Sequence, residues 1–557
     1  MYFTLAVAAP DPAVCAALAQ RACAADPRVM PIPGPARVAW RAPHGCAALI
    51  TWGEYMARLS DGAASRSYAG TIWASAGDSG VVAARTGITR ADPVFAARVG
   101  AATVISDRAT WAAAVAGRLG DADPRLYAGL LGPGYPLGAV TPFTGVRALG
   151  PAASFRAARG QCTETGGARP GGLGGPDPAG SGPAAAVAGA LVQAVSPLRD
   201  AAGPVELSLT GGKDSRLIAA ALASAGVPVR ARTYGFPGHP DVAVAGQVAR
   251  ELGLDHEVAE PKTTGDGTAA TVQEVDVLAR LRATVLVADG MLSAFENVGR
   301  PDPERAGAAP AAVGGHGGEL LRGGYAKIIP GSAARRAAGS AELLRRLTMR
   351  RLPLLRARGR AGYLAGLAPW LAAVAARPEP ALDDFYLVNR AGRWSAAARQ
   401  AYALRSVLAQ PFFDDRVVRA ARSAPLAERL DDRLVRGAIG ALCPALLDVP
   451  LAADRWKCAP GAGGAGEDGG TRAGSRAGFD WRRGYGDEVA GFLREYVLDT
   501  GCLFTIVSRP AAERLLRPPH TDPVTVWALA TLAALASRDW LNARAAHGQM
   551  FAIPVPA

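Results

Sequence analysis

Apolar and polar positions alternate in short runs along the first 157 residues, and turn residues separate these runs. Alternation with a period of two is typical of half-buried β-strands. The runs that predict strands are AALITW, YAGTIWASAG, GVVAART and ATVISDR. One helix, RATWAAAVAGRL, is predicted among them. We therefore expect a β-rich N-terminal domain of mixed α+β class over residues 1–157.

The pattern changes after a stretch rich in Gly and Pro, residues 158–183, which predicts a linker. Between residues 205 and 260, strand-like and helix-like runs follow one another in turn. Such alternation is typical of a parallel sheet with right-handed crossovers. The remaining sequence is mostly helical in pattern. The predicted fold class is α/β, with a second domain over residues 184–557 built on a parallel sheet.

Length and charge narrow the class of protein. A chain of 557 residues exceeds one ordinary domain, which agrees with the two domains that the pattern predicts. The net charge is +13, but the arginines are scattered, without a long basic run or interleaved aromatic residues. A basic surface suited to an anionic ligand is favoured over nucleic-acid binding.

Export signals and membrane spans are not apparent in the sequence. The apolar N-terminus has no early basic residues, and no apolar run reaches about 18 residues. The seven cysteines lie far apart without a CxxC pair, which is typical of reduced thiols rather than of disulfides or a zinc site. We expect a cytoplasmic protein without membrane association.

Lysine is used sparingly. Of the 61 basic residues, only four are lysines: Lys213, Lys262, Lys327 and Lys457. Because arginine supplies positive charge elsewhere, a retained lysine can mark a place that needs a compact ammonium on a flexible stem. Chance codon usage is the alternative explanation for any one of them. Lys213 and Lys457 are the stronger candidates because of the motifs around them.

The run SLTGGKDS joins a predicted strand to a predicted helix. The amides of Gly211 and Gly212, with the positive end of the helix, predict a phosphate cradle. It is not the GxxxxGK[ST] loop of P-loop proteins, because Asp214 follows Lys213. A carboxylate beside a phosphate site can hold Mg²⁺, which neutralises a polyphosphate.

Two hydroxyl groups, those of Thr210 and Ser215, flank the same glycines and can add hydrogen bonds to a phosphate. The alternative is an ordinary Gly-rich turn whose Asp or Ser caps the following helix. The strand before the turn and the helix after it favour the phosphate site.

A second turn of this kind is predicted in AAVGGHGGELLRGGY, residues 311–325, where an apolar strand enters a Gly-rich turn and a helix. Carboxyl ends of parallel strands form the ligand crevice of such sheets. The two turns can therefore supply two metal-binding acids, Asp214 and Glu319. His316 lies in the same turn, where a capping or hydrogen-bonded histidine is the alternative.

Lys457 precedes a glycine-rich segment, residues 458–478. A lysine there can reach into a site and stabilise a phosphate or a tetrahedral oxyanion, whereas a solvated lysine is the alternative. The segment contains too much glycine to be fixed without a ligand, so we expect it to act as a lid.

Four motifs in this order resemble those of one family. LTGGKDS resembles the SGGxDS pyrophosphate loop of the N-type ATP pyrophosphatases, and the other motifs are GGHGGELLRGGY, QPFFDDRVV and DRWKC. With them, the chain is similar to the asparagine synthetase family, and ISDRATW and TPFTGVRAL extend the similarity into the first half. The resemblance implies an N-terminal sandwich of Ntn-amidotransferase type. It also implies a synthetase domain that adenylates a carboxylate, releases pyrophosphate and lets an amine attack.

The chain departs from this family at identifiable positions. Glutamine-dependent members carry a Cys directly after the initiator Met, where this chain has Tyr2. Cys15 and Cys23 cannot substitute, so the N-terminal domain is expected to be a relic with a structural role. His316 stands where asparagine synthetases have Glu and β-lactam synthetases have Tyr. Glu319 stands where the family has a metal-binding Asp.

These departures, with GGKDSRL and GFPGHPDVAVA, are most similar to the lasso-peptide macrolactam synthetases. Those enzymes join the N-terminal amine of a core peptide to an Asp or Glu side chain within it. The resemblance implies ATP and Mg²⁺ as cofactors and a leader-cleaved core peptide as substrate. It also implies a leader-binding protein and a leader peptidase as partners.

The resemblance assigns roles to individual residues. ATP and pyrophosphate would be bound by Leu209, Thr210, Gly211, Gly212, Lys213, Asp214, Ser215, Tyr234 and Gly315, of which Leu209, Tyr234 and Gly315 would line the adenosine pocket. Mg²⁺ would be held by Asp214 and Glu319. His316 would accept the proton of the attacking amine, and Lys457 would stabilise the oxyanion.

Three alternatives remain. β-Lactam formation from a small amino acid is disfavoured by His316, and ammonia-dependent asparagine formation is disfavoured by the missing Glu and Cys. A non-catalytic ATP-binding partner is disfavoured by the intact Asp214 and Lys457.

Overall fold

The structure is a computed structural model. It describes residues 3–25, 34–52, 71–74, 80–167, 182–201, 203–235, 237–260, 272–296, 311–402, 408–452, 455–458, 486–519, 522–541 and 550–554. None of the helices in these ranges combines the length and the apolar character that crossing a bilayer requires.

The first half of the chain is built mainly from short strands, as the alternating pattern predicts. Its strands are β1 Phe3–Ala8, β2 Ala36–Arg41, β3 Ala47–Trp52, β4 Thr71–Ala74, β5 Val82–Arg85, β6 Phe95–Val99, β7 Ala102–Ser106, β8 Val146–Ala148, β9 Ser154–Ala158 and β10 Gln161–Thr165. Its helices are α1 Pro12–Cys23, α2 Ala109–Ala116 and α3 Pro124–Leu131.

These strands form two antiparallel sheets. One has six strands in the order β2-β3-β1-β7-β6-β8, and the other has four in the order β10-β9-β5-β4. Small and apolar side chains from both sheets share one buried cluster, to which Leu49 contributes from the first sheet and Phe155 from the second. Alternate residues of β3 and β9 point to this cluster because side chains on a strand alternate between its faces.

The boundary predicted at residue 157 falls inside a β-hairpin. Strand β10 pairs with β9 from Gln161↔Ala158 to Thr165↔Ser154, so residues 158–165 belong to the second sheet. The Gly and Pro content of the neighbouring sequence concealed this strand. Residues 168–181 of the predicted linker lie outside the described residues.

The second half contains a parallel sheet and many helices. Its strands are β11 Val205–Ser208, β12 Val229–Tyr234, β13 Asp255–Ala259, β14 Val272–Asp276, β15 Ala312–Gly314, β16 Leu408–Ala409 and β17 Met550–Pro554. Its helices are α4 Pro183–Val195, α5 Lys213–Ser224, α6 Pro240–Glu251, α7 Val277–Val287, α8 Ala333–Met349, α9 Ala357–Ala376, α10 Pro378–Phe385, α11 Ala396–Tyr402, α12 Asp415–Ser423, α13 Leu426–Leu430, α14 Arg433–Leu442, α15 Asp487–Asp499, α16 Arg509–Leu515 and α17 Pro523–Ser537. A π-helix, Tyr386–Ser395, joins α10 to α11.

The central sheet has five parallel strands in the order β13-β12-β11-β15-β16. After β11, the next strands in the chain, β12 and β13, lie on one side of it. The later strands β15 and β16 lie on its other side. The order therefore reverses between β11 and β15. In open parallel sheets, ligands bind at the carboxyl ends of the strands that flank such a reversal.

The two halves of the chain share a core. Arg108 forms an ion pair with Asp289 at 2.8 Å, and both side chains are fully buried. Asp289 also accepts a hydrogen bond from the amide of Ala109, and Arg108 donates to the carbonyl of Val287. A buried charge needs such a set of partners, because desolvation costs several kcal/mol. This contact fixes α2 of the first half against the end of α7.

The π-helix is also held by the first half of the chain. Arg90 is buried and donates to the carbonyls of Val388 and Leu149. The amide of Gly138 donates to Asn389 Oδ1 at 2.9 Å, and Arg393 donates to the carbonyl of Val140. π-Helical turns are often found at functional sites. The first half therefore positions an element that reaches the sheet's ligand-binding edge.

Candidate active site

Two turns meet at the carboxyl ends of β11 and β15. Ser208, the last residue of β11, is in register with Gly314, the last residue of β15. A Cβ atom added to Gly315 would lie 2.6 Å from the amide nitrogen of Ser215. The turns are therefore in backbone contact at the point where the strand order reverses. The sequence predicted both turns and their common crevice.

Hydrogen bonds within the first turn involve the groups predicted to hold phosphate. The Thr210 and Ser215 hydroxyls are 3.0 Å apart, and the Gly212 amide donates to Thr210 Oγ1 at 3.3 Å. The Gly211 amide donates to Asp241 Oδ1 at 2.9 Å. Asp241, in the first turn of α6, is thus a residue that sequence reasoning missed. In this state the Gly211 amide is committed to a carboxylate, and its role in binding pyrophosphate stays a prediction.

Lys213 points into the protein. Its Nζ lies 2.8 Å from Asp432 Oδ2, and the side chains are 4% and 1% exposed. It also donates to the carbonyl of Arg455 at 3.1 Å and lies 5.5 Å from the ring centroid of Trp456. The same Asp432 oxygen accepts from the amide of Lys457 at 3.3 Å. Lys213 therefore connects the first turn to the segment that carries Lys457, and its contact with pyrophosphate stays a prediction.

The second turn differs from the predicted strand-turn-helix. After β15, residues Gly318–Arg322 form a short 3₁₀ helix rather than an α-helix. The glycines at its two ends, Gly317 and Gly323, have φ values of +97° and +80°. These left-handed conformations favour glycine, and they confine the helix to five residues. The tight turn places Glu319 and Arg322 on the crevice side, facing Asp214.

Asp214 and Glu319 lie close enough to influence each other's charge. Burial raises the pKa of Asp214 above its ordinary value, Arg322 opposes this, and Glu319 adds to it. Burial by itself would raise the pKa of Glu319, but Lys327 and Arg322 help to hold it below its ordinary value. Both residues are therefore part of one electrostatic cluster.

His316 lies beside this cluster. Its ring is exposed to solvent within the crevice, yet the surrounding protein lowers the His316 pKa by desolvation. Nε2 and Ser395 Oγ share a hydrogen bond of 3.2 Å, and the ring centroid lies 5.6 Å from that of Trp394. Phe413 packs against the ring from another side at 6.2 Å. A lowered pKa favours the neutral imidazole, which can accept a proton near neutral pH.

Two lysines extend the cluster. Lys327 and Lys457 are both exposed, and each influences the other electrostatically. Burial lowers the pKa of Lys327, Glu319 opposes this, and Arg322 adds to it. Lys457 Nζ reaches the carbonyl of Leu430 at 3.5 Å. Arg322 and Lys327 therefore place positive charge beside both acids, and Lys457 lies next to Lys327.

The residues predicted to line the adenosine pocket lie at the same edge of the sheet. Leu209 is buried, and its carbonyl accepts from Thr233 Oγ1 at 2.9 Å. Tyr234, at the end of β12, is 59% exposed. Gly315 is the point of contact between the two turns. An exposed ring at a strand end can stack on a base, but no bound nucleotide tests this role.

The carboxylates fit a magnesium ion that accompanies a polyphosphate. Within the described residues, no group of three or more His, Cys, Asp or Glu side chains could hold a metal by itself. Mg²⁺, however, is usually held by one or two carboxylates together with substrate phosphates. Asp214 Oδ1 is buried and has no hydrogen-bond partner in the described part of the chain. Asp214 and Glu319 can therefore serve as the protein ligands.

Comparison with known proteins agrees with this geometry. Residues 186–447 match the family described as asparagine synthase. The matched residues are therefore similar to an asparagine synthase domain. The match runs from α4 through the whole parallel sheet and includes both turns. It supports ATP-dependent amide-bond formation in general. No curated protein matches the chain at a significant level.

The region that matches asparagine synthase brings together most of the predicted site. Asp214, His316 and Glu319 share one crevice, and Lys457 is linked to it through Lys327. Tyr2 and residues 459–478 of the predicted lid lie outside the described residues, as does Lys262. The residues missed in sequence reasoning are Asp241, Arg322, Trp394, Ser395 and Asp432. Arg322 belongs to the motif itself, but nothing in the sequence shows that it faces Asp214.

Replacing Gly318 with Ala should push the Asp214 side chain away from the second turn. The new Cβ would lie 2.2 Å from Asp214 Cγ, so the Asp214 carboxylate must move. We expect a loss of about 1–3 kcal/mol in the free energy of unfolding. We also expect ATP affinity, measured by calorimetry, to fall about tenfold, since the Asp214 carboxylate would be displaced.

Gly314→Ala is the matched control, because a Cβ there has no atom within 4 Å. It should retain both wild-type values. Equal ATP affinity in Gly318→Ala and Gly314→Ala would show that the contact between the turns does not matter for nucleotide binding.

Proposed function

We propose that the protein is a lasso-peptide cyclase. It would adenylate an Asp or Glu side chain of a core peptide with Mg-ATP and join the acyl group to the peptide's N-terminal amine. The observation that carries this proposal is the crevice between β11 and β15. There, two carboxylates and a histidine with a lowered pKa lie close to Arg322 and Lys327, and Lys457 lies next to Lys327.

The first step makes the acyl-adenylate. A carboxylate oxygen of the peptide forms a bond to the α-phosphorus of ATP, and the bond from that phosphorus to the bridging oxygen breaks. The departing pyrophosphate would be held by Thr210, Gly211, Gly212 and Ser215, and Lys457 would stabilise the departing phosphate. Asp214 and Glu319 would hold Mg²⁺, which supplies charge neutralisation to the phosphates when bound.

The second step closes the ring. The α-amine attacks the acyl carbon, and the bond from that carbon to the AMP oxygen breaks. The amine loses a proton, for which neutral His316 is the candidate acceptor. Ser395 and Trp394 orient the imidazole. Because amine and acyl group belong to one molecule, much of the rate gain comes from proximity.

The first half of the chain would act as a scaffold in this enzyme, as a relic of an Ntn-type amidotransferase domain. Its contribution to the site is to hold the π-helix through Arg90, Gly138 and Val140. That helix carries Trp394 and Ser395 to His316. A leader-binding protein and a leader peptidase would deliver the free core peptide.

The decisive test uses intact-mass spectrometry. A leader-free core peptide encoded beside this gene is incubated with the full-length protein, ATP and Mg²⁺. We expect the peptide to lose one water molecule while AMP and pyrophosphate appear in equal amounts. An unchanged peptide mass, after wild-type ATP binding has been verified, would contradict the cyclase proposal.

Other products would identify the alternatives. AMP formed with a small amino acid would indicate chemistry of the β-lactam synthetase or asparagine synthetase kind. ATP binding without AMP formation from any carboxylate would indicate a non-catalytic ATP-binding partner.

A further inference from the structure

Arg322 forms an incomplete ion pair with Asp214. Its Nη2 lies 2.5 Å from Asp214 Oδ2, and the side chains are 22% and 19% exposed. Arg322 Nε and Asp214 Oδ1 are both buried without a hydrogen-bond partner in the described residues. Only one nitrogen and one oxygen of a pair that can form two hydrogen bonds are therefore engaged.

Two other Arg–Asp pairs in the described residues use the full geometry, whereas Arg118–Asp121 and Arg433–Asp431 make one side-chain contact each. Arg125 donates from both Nε and Nη2 to the two oxygens of Asp123. Arg416 does the same with Asp414. In both pairs the Asp is the N-cap residue of a helix, so the pair stabilises the start of that helix. The Arg322–Asp214 pair joins two separate turns at the candidate site and leaves hydrogen-bonding capacity on both sides.

Cations and carboxylates lie close together in this part of the crevice. Arg322 and Lys327 act on the two acids Asp214 and Glu319, and Lys457 lies next to Lys327. Lys327 is exposed, and no carboxylate in the described residues lies within ion-pair distance of it. A polyphosphate would complement these cations, and a divalent cation would complement the two acids.

We propose that Arg322 exchanges partners when nucleotide binds. Without ligand it neutralises Asp214; with a polyphosphate it moves to a phosphate oxygen, beside Lys327, and leaves both oxygens of Asp214 for a divalent cation. This inference rests on the proposed function, since it needs the nucleotide site. It makes Arg322 a phosphate ligand and couples metal binding to polyphosphate binding in both directions.

The first test measures pyrophosphate binding in EDTA by calorimetry. Arg322→Gln should bind pyrophosphate about tenfold more weakly than wild type, because one charged hydrogen bond is lost. Arg336→Gln is the control, since Arg336 forms a similarly exposed pair with Glu379 on other helices. It should bind as wild type does. Unchanged affinity in Arg322→Gln would overturn the exchange.

The second test measures Mn²⁺ binding without nucleotide by electron paramagnetic resonance. Arg322→Gln should bind Mn²⁺ about fivefold more tightly than wild type, because Asp214 is no longer neutralised. Equal or weaker Mn²⁺ binding would overturn the proposal. This readout distinguishes a partner exchange from a clamp that only holds the turns together.

A third variant tests pyrophosphate binding at a residue whose replacement should not disturb folding. Lys327→Gln changes an exposed side chain and should fold as wild type does. We expect it to lose pyrophosphate affinity, about fivefold, because Lys327 lies beside Arg322 at the proposed phosphate site. Wild-type pyrophosphate affinity in this variant would contradict the shared phosphate site. If the wild-type protein binds neither ATP nor pyrophosphate, the proposed function fails. If the wild-type protein binds them and the Arg322 and Lys327 variants bind pyrophosphate equally well, the partner exchange fails but the proposed function does not.

Discussion

Asp214→Asn should reduce AMP formation from ATP and the peptide substrate by about three orders of magnitude, or ~4 kcal/mol of transition-state stabilisation. The amide keeps the size of the side chain but removes the negative charge that a divalent cation needs. Burial already raises the pKa of Asp214, so removing its charge should cost little folding stability. The measurement is single-turnover AMP formation, with thermal melting as the check on folding.

Asp121→Asn is the control for this variant. Asp121 forms an ion pair with Arg118 in which both side chains are 48% exposed, and it lies in the first half of the chain. Its removal should leave turnover unchanged. Turnover within tenfold of wild type in Asp214→Asn would rule out a metal-binding role for this carboxylate.

Asp432→Asn should lower the free energy of unfolding by about 3 kcal/mol. The change removes the carboxylate charge that faces the buried Lys213 ammonium at 2.8 Å. Asn suits this position because Asp432 has a φ of +67°, a conformation that Asn tolerates. We also expect weaker ATP binding, since Asp432 connects the first turn to the amide of Lys457. Denaturant titration and calorimetry measure the two effects.

A double variant separates charge from shape. Lys213→Met with Asp432→Asn should recover part of the lost stability, because the lysine charge is then absent as well. Asp431→Asn is the neighbouring control; its pair with Arg433 is exposed, so its removal should change stability by less than about 1 kcal/mol. A double variant no more stable than Asp432→Asn alone would show that charge is not the cause.

Periodicity and turn chemistry were sufficient to predict the element types that build the sheet. β11, α5, β12, α6 and β13 occur where alternating strand and helix patterns place them. A Gly or Pro lies close to the ends of each element. The spacing of apolar residues in each element is typical of either a strand or a helix. The parallel pairing of β11, β12 and β13 also agrees with the predicted parallel sheet.

The sequence did not reveal contacts between distant segments. Asp432 lies more than 200 residues from Lys213, and Asp241 reaches the Gly211 amide from another helix. Such pairs depend on how whole elements pack, which local periodicity does not encode. β10 was missed for a different reason, because its residues are exposed and lack an apolar face.

The sequence predicted that the candidate site residues share one crevice but did not predict their contacts, and their roles as ligands stay predictions. Asp214, His316 and Glu319 belong to Gly-rich turns, whose chemistry can be read locally. The 3₁₀ helix at Gly318–Arg322 is bounded by two glycines in the left-handed conformation. The sequence does not show which glycines adopt that conformation, so it did not predict the short helix. The partner of Asp214 therefore became known only from the structure.

The shared core determines which part of the chain could be transplanted. A fragment beginning at residue 184 would keep every candidate ligand, but it would leave the Asp289 carboxylate without Arg108 and the Val388 carbonyl without Arg90. Its π-helix would lose the contact that holds it beside His316. For protein engineering, the smallest module that carries the site is thus both halves together, and new specificities are better sought by exchanging residues of the crevice wall than by exchanging domains.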